Sequence, residues 1–149
     1  MHPVRCLVAI MSVAIAFTAC QSAPADVRPG GPLAVRDAWV RPADSGGTGG
    51  AYVTLANVDT TALTIVAMST PVAASTELHE TMQMSGMVHM MARPDFVLGR
   101  DSVLTMAPGG LHLMLTSLSR ALHAGDTVQL TLTLADGRSV PIAVPVRAP

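Results

Sequence analysis

An all-β sandwich is the fold the sequence predicts, and three observations predict it. From Leu33 onward the chain runs in short β-branched or alternating stretches broken by turn residues, the pattern of sandwiches and barrels. No window sustains a 3.6-residue apolar period over the roughly 10 residues at which an amphipathic helix becomes legible. The chain is also apolar enough to fill one core: 50% of its 149 residues are hydrophobic and 13% are charged, against a usual charged share of roughly a quarter.

The elements follow in order. Strands are predicted near 33–41, 50–57, 62–69, 75–83, 87–93, 101–106, 111–118, 127–134 and 138–147. The first is separated from the second by Gly46-Gly47-Thr48-Gly49-Gly50. That run lacks the ending of a P-loop and the spacing of a dinucleotide fingerprint, and it leads into a strand, so it reads as an inter-strand loop and not a phosphate cradle. The strands at 75–83 and 87–93 flank a turn signal at Met84-Ser85-Gly86, and 111–118 follows Pro108-Gly109-Gly110. Ser117 to Ala124 has room for one helical turn, stopped by Gly125. From Asp126 the chain alternates, with Val128, Leu130, Leu132 and Leu134 on one face and Thr127, Gln129, Thr131 and Thr133 on the other. Asp136-Gly137 then turns the chain into 138–147, a half-buried hairpin.

The N-terminus reads as an address. Arg5 precedes an apolar run from Cys6 to Phe17, of signal-peptide length and too short to span a bilayer as a lone helix. It ends in Phe17-Thr18-Ala19-Cys20, which resembles a bacterial lipobox with Phe17 in place of the usual aliphatic residue. Two endings stand: lipidation at Cys20, or ordinary cleavage at Ala23-Pro24-Ala25. The expected organisation is a signal peptide over 1–19, a flexible tether over 20–32 and a folded domain over 33–149, in the periplasm or cell envelope. Either ending leaves the folded domain without a thiol, which removes disulfides, catalytic thiolates and a blue-copper cysteine site.

Composition removes further classes. Nine arginines balance ten carboxylates to a net charge of -1, with no basic run to hold nucleic acid. The absence of lysine removes P-loop, Schiff-base and serine–lysine chemistry. No triad spacing or paired carboxylates mark a catalytic site.

Residues 77–91 read ELHETMQMSGMVHMM, two histidines and five of the chain's ten methionines, and a second His-x-Met pair stands at His112 and Met114. Methionine stripes usually fill cores, but here polar residues interleave them, so they cannot all enter one core. His112 and Met114 share a strand face. A hairpin centred between Met84 and Ser85 sets His79 directly opposite Met90; one centred on Ser85-Gly86 makes them diagonal neighbours. Two imidazoles and two thioethers form a soft, neutral donor set that selects Cu(I) over zinc, calcium or magnesium. Only the imidazoles carry protons, so binding weakens as pH falls through their ordinary pKa of about 6.5.

His79, Met90, His112 and Met114 are separated by ten, twenty-one and one residues, which resembles the metal motif of the periplasmic PCu(A)C copper chaperones. Trp39 and Arg41, Tyr52 to Asn57, Glu77 to Thr81 and Pro108-Gly109-Gly110 extend the resemblance. It implies a cupredoxin-like Greek-key β-sandwich with a solvent-accessible Cu(I) site, delivering copper to the Cu(A) centre of cytochrome oxidase, with a thioredoxin-like Sco protein as a further partner. The family's optional His- and Met-rich C-terminal tail has no counterpart in Arg147-Ala148-Pro149. Met82, Met84, Met87 and His89 exceed the four ligands and read either as secondary copper contacts or as solvent-facing and partly core residues. Met91 shares the face of His89, and His123 reads as a surface residue. Copper sequestration for tolerance uses the same residues without a partner; an envelope scaffold needs no metal at all.

Overall fold

The computed structural model describes residues 31–148. The expected signal segment, Cys20, the Ala25 cleavage site and most of the tether lie outside the described residues. Ten strands form: β1 (Leu33–Val40), β2 (Gly49–Asn57), β3 (Leu63–Ser69), β4 (Ala73–Met84), β5 (Met87–Ala92), β6 (Phe96–Leu98), β7 (Val103–Thr105), β8 (Leu111–Leu118), β9 (Thr127–Leu134) and β10 (Ser139–Pro145). Among the described residues there is no helix, and Ser117–Ala124 forms none. The short β6 has no counterpart in the sequence reading. It pairs with β3, and the buried Asn57 amide holds it by donating to the Leu98 carbonyl at 3.0 Å.

The strands make two sheets. One runs β1-β2-β8-β4-β5, with β7 beside the far end of β2; the other runs β10-β9-β3-β6. Leu33, Val35, Ala51, Val53, Leu55, Leu78, Leu113 and Leu115 from the first sheet meet Leu63, Ile65, Val128, Leu130, Leu132, Leu134, Val140, Ile142 and Val144 from the second in one continuous core. Burial of these apolar faces, worth about 1.5–3 kcal/mol for each large side chain, is what holds the layers together. The β9–β10 hairpin turns at Asp136-Gly137 with Gly137 at φ 86, a conformation that costs glycine nothing. Pro141 and Pro145 sit on β10, an edge strand, where a missing N–H is tolerated and a further strand is discouraged.

Two irregularities place the residues discussed below. In β1 the register shifts by one residue between Arg36 and Trp39, with Asp37 at φ 51. Uninterrupted alternation would put Trp39 on the core face with Leu33 and Val35; the bulge turns it to the outer face and sets it opposite Tyr52. In the β4–β5 hairpin, Ser85 (φ 52) and Gly86 (φ 78) form the two-residue turn, so His79 pairs with Ala92 and Thr81 with Met90. This corrects the register that sets His79 directly opposite Met90: they are diagonal neighbours. Both central residues of such a turn need positive φ, and Ser85-Gly86 supplies the glycine that Met84-Ser85 lacks.

Candidate metal centre

β4 pairs with β8 from Ala73 to Glu80, and His79 stands directly opposite His112. Beyond Glu80, β4 is paired only with β5, so the two histidines lie where the sheet ends and the hairpin begins to project. Their ring centroids are 6.1 Å apart. Leu78 and Leu113, one residue away on each strand, are buried in the core, which fixes the histidines on the opposite, outer face. Met114 follows on that face, opposite Glu77, and Met90 comes to it from β5. Thus His79, His112 and Met114 are neighbours across one strand pair, and Met90 approaches diagonally with 60% of its surface exposed.

Each ring has one nitrogen committed. Nδ1 of His112 lies 3.0 Å from the Gly110 carbonyl oxygen, which accepts only, so Nδ1 carries the proton and Nε2 keeps the lone pair. His79 is the reverse. Its Nε2 donates to Glu77 Oε2 at 3.1 Å, and its Nδ1 is buried with no partner. Hydrogen bonds from His79 and from Ser75 hold the Glu77 carboxyl below its ordinary pKa, so it remains an anion and an acceptor. A buried imidazole nitrogen left unpaired costs about 1–3 kcal/mol. A metal ion is the partner such a lone pair fits, with the carboxylate fixing the other end of the ring. Among the described residues no three His, Cys, Asp or Glu side chains are arranged to hold a metal ion by themselves, so a centre built on the two histidines draws on the thioethers beside them.

An aromatic wall adjoins the histidines. Tyr52 on β2 stacks beside His112 with ring centroids 6.5 Å apart, Trp39 packs on Tyr52 at 4.5 Å, and the Arg147 guanidinium lies 5.4 Å over the Trp39 ring. Gly50 stands opposite Met114, and the Tyr52 hydroxyl fills the place beside it, 3.0 Å from where a Cβ would sit. Sequence reasoning named Glu77, Trp39 and Tyr52 only within the family resemblance and gave them no place at the site. Glu77 was reachable, since it lies two residues before His79 on the same strand face; Trp39 was not, because the bulge that turns it outward leaves no alternation to read. Of the secondary candidates, Met84, Met87 and His89 lie on the other face of the hairpin, and His123 is exposed.

A two-sheet β-sandwich with a His/Met cluster on the rim of one face defines a class, the PCu(A)C-type domains, and comparison with known proteins agrees. The chain belongs to the LpqE-like family, described as "Putative lipoprotein LpqE-like", whose profile matches residues 33–146. "Putative lipoprotein Lxx21020" of Leifsonia xyli subsp. xyli is 38% identical over 114 residues, 76% of this chain and 68% of the relative. The solution structure of Cu(I)-bound DR1885 from Deinococcus radiodurans is similar with a TM-score of 0.59 and 32% identity, covering 76% of this chain and 78% of that one. The copper-bound PCuAC domain from PmoF2 shares the fold, with a TM-score of 0.64 and 22% identity over 80% of this chain and 95% of that domain. The expected cupredoxin-like fold and family resemblance are therefore borne out.

Proposed function

We propose that this protein is an exported Cu(I) metallochaperone, not an enzyme, whose cargo is held by His79, Met90, His112 and Met114 and is passed to the Cu(A) centre of cytochrome oxidase. The observation that carries the proposal is the facing histidine pair: one nitrogen of each ring is fixed by a carbonyl or carboxylate, and the other is left with its lone pair. Two neutral imidazoles and two thioethers match a soft monovalent ion, and the titles of the similar solved domains, copper-bound PmoF2 and Cu(I)-DR1885, support copper as that ion. Positions on a strand pair give His79, His112 and Met114 little freedom to rearrange. Met90 is more than half exposed on a projecting hairpin, so a recipient can displace it first and take the ion by stepwise ligand exchange. The Tyr52–Trp39 wall closes one flank of the cluster, leaving the hairpin side for approach.

The lipoprotein names of the family and of its Leifsonia relative support export and attachment through Cys20, which places the domain within reach of a membrane-bound oxidase and a Sco partner. Delivery is tested by mixing the Cu(I)-loaded protein with an apo Cu(A) domain, separating the two and measuring copper in each. Transfer to the recipient is expected; copper remaining on the donor would favour the sequestration reading. Cys20→Ser should move the protein from the membrane to the soluble fraction, and an unchanged membrane fraction would remove the anchor.

A further inference from the structure

The projecting β4–β5 hairpin has a second face that the four-residue centre does not use. In the observed register Met82 is directly opposite His89, Met84 opposite Met87, and Glu80 opposite Met91. Strand alternation puts these six residues on the face away from His79, His112 and Met90. Opposed Cβ atoms on such a pair lie about 4.5–5.5 Å apart and diagonal ones about 7–8 Å, within reach of methionine's three rotatable bonds. Four thioethers and one imidazole therefore share one strip two strands wide. Near the base of the hairpin this face is the core face, carrying Leu78; towards the tip the second sheet no longer covers it, leaving Met84, Met87 and Met91 between 51% and 61% exposed and His89 exposed. Glu80, the one carboxylate in the strip, is engaged by Arg93 through its Nε at 2.9 Å. The donors left are uncharged and soft, unsuited to zinc, calcium or magnesium.

The geometry points to a second, weaker Cu(I) site on this face, centred on the Met82–His89 and Met84–Met87 pairs with Met91 beside them. It goes beyond the proposed function: it is separated from the first centre by the thickness of the hairpin, shares no ligand with it, and stands without it. Plain packing does not account for the strip, because its outer members, Met84, Met87 and Met91, keep more than half of their surface exposed and none belongs to the core. A docking face for an apolar partner is the competing use, and it would tolerate leucine in place of methionine.

The test is a Cu(I) titration of the full chain under reducing conditions against a chromophoric chelator, with three variants alongside. The wild type is expected to take up two Cu(I) per chain. Met84→Leu/Met87→Leu/His89→Ala, which keeps the apolar shape at the methionines, should take up one with the tighter affinity unchanged. His79→Ala/His112→Ala should retain one weaker equivalent, and the five-fold variant none. A single equivalent in the wild type that survives in the hairpin variant overturns the second site and leaves the first intact. A single equivalent lost only in the hairpin variant overturns the four-residue centre instead. Should His79→Ala/His112→Ala misfold, the wild type and the hairpin variant alone decide the matter, two equivalents against one.

Discussion

His79 Nδ1 is one of three buried side-chain polar atoms without a partner among the described residues, the others being the hydroxyls of Thr70 and Thr76. A hydroxyl rotates to make do; an imidazole held at its far nitrogen by Glu77 cannot. Glu77 thereby acts as a positioning residue. Glu77→Ala should weaken Cu(I) binding about 10–100-fold, the usual effect of losing a ligand's hydrogen-bond partner, while the circular dichroism stays that of a β-protein. Unchanged affinity would show that the carboxylate does not set the ring. Met114→Leu keeps the size and removes the sulfur, so a loss of about tenfold or more, about 1.4 kcal/mol, is expected in the same titration. The four candidate ligands were legible in the sequence because their spacing survives without knowledge of the fold. Which nitrogen of each histidine stays free was not, since that depends on how Glu77 and the Gly110 carbonyl, each two residues from its histidine, meet the rings.

At the scale of the element, the β4–β5 hairpin decides which residues meet. Moving its turn by one residue on the chain moves the pairing partner of His79 from Met90 to Ala92, and the sequence offered both registers. Positive φ at Ser85 and Gly86 settles it, and this is backbone information that a run of Met, Ser and Gly does not display. Gly86→Val asks a β-branched residue to adopt φ 78, at a cost of about 1–2 kcal/mol. A lower urea midpoint with an unchanged slope should report it. Beneath the face that carries the two histidines, Leu113 is fully buried, and Leu113→Ala should cost about 2–5 kcal/mol by the same measurement. A loss within error at either position would mean that the hairpin turn or the core layer is not packed as described.

Across the whole molecule, nine strands were readable from alternation and turns, and all nine form. The tenth, Phe96–Leu98, is three residues long and exists only because β3 offers it a partner. The outward turn of Trp39 was hidden for a related reason: a bulge breaks the period on which sequence reading relies. Charge adds a pH dependence that runs through the fold. Asp59 is held below its ordinary pKa by the Thr60 N–H and Arg138, Asp126 by Arg120 and the His123 N–H, and Asp136 by Arg138. A folded-state pKa below the unfolded one stabilises above the unfolded value, about 3.9 for aspartate, and is lost as pH falls through the folded value. The urea midpoint should therefore be level above about pH 5 and decline below about pH 4. A midpoint independent of pH down to about 2 would show that these pairs contribute nothing.

The proposed function turns on the facing histidines. Its most direct test is the Cu(I) affinity of the protein measured by chelator competition under reducing conditions, beside that of His112→Ala. The tightest-bound equivalent should disappear in the variant while the β-sheet spectrum is retained. Equal affinity in the two proteins would contradict the site.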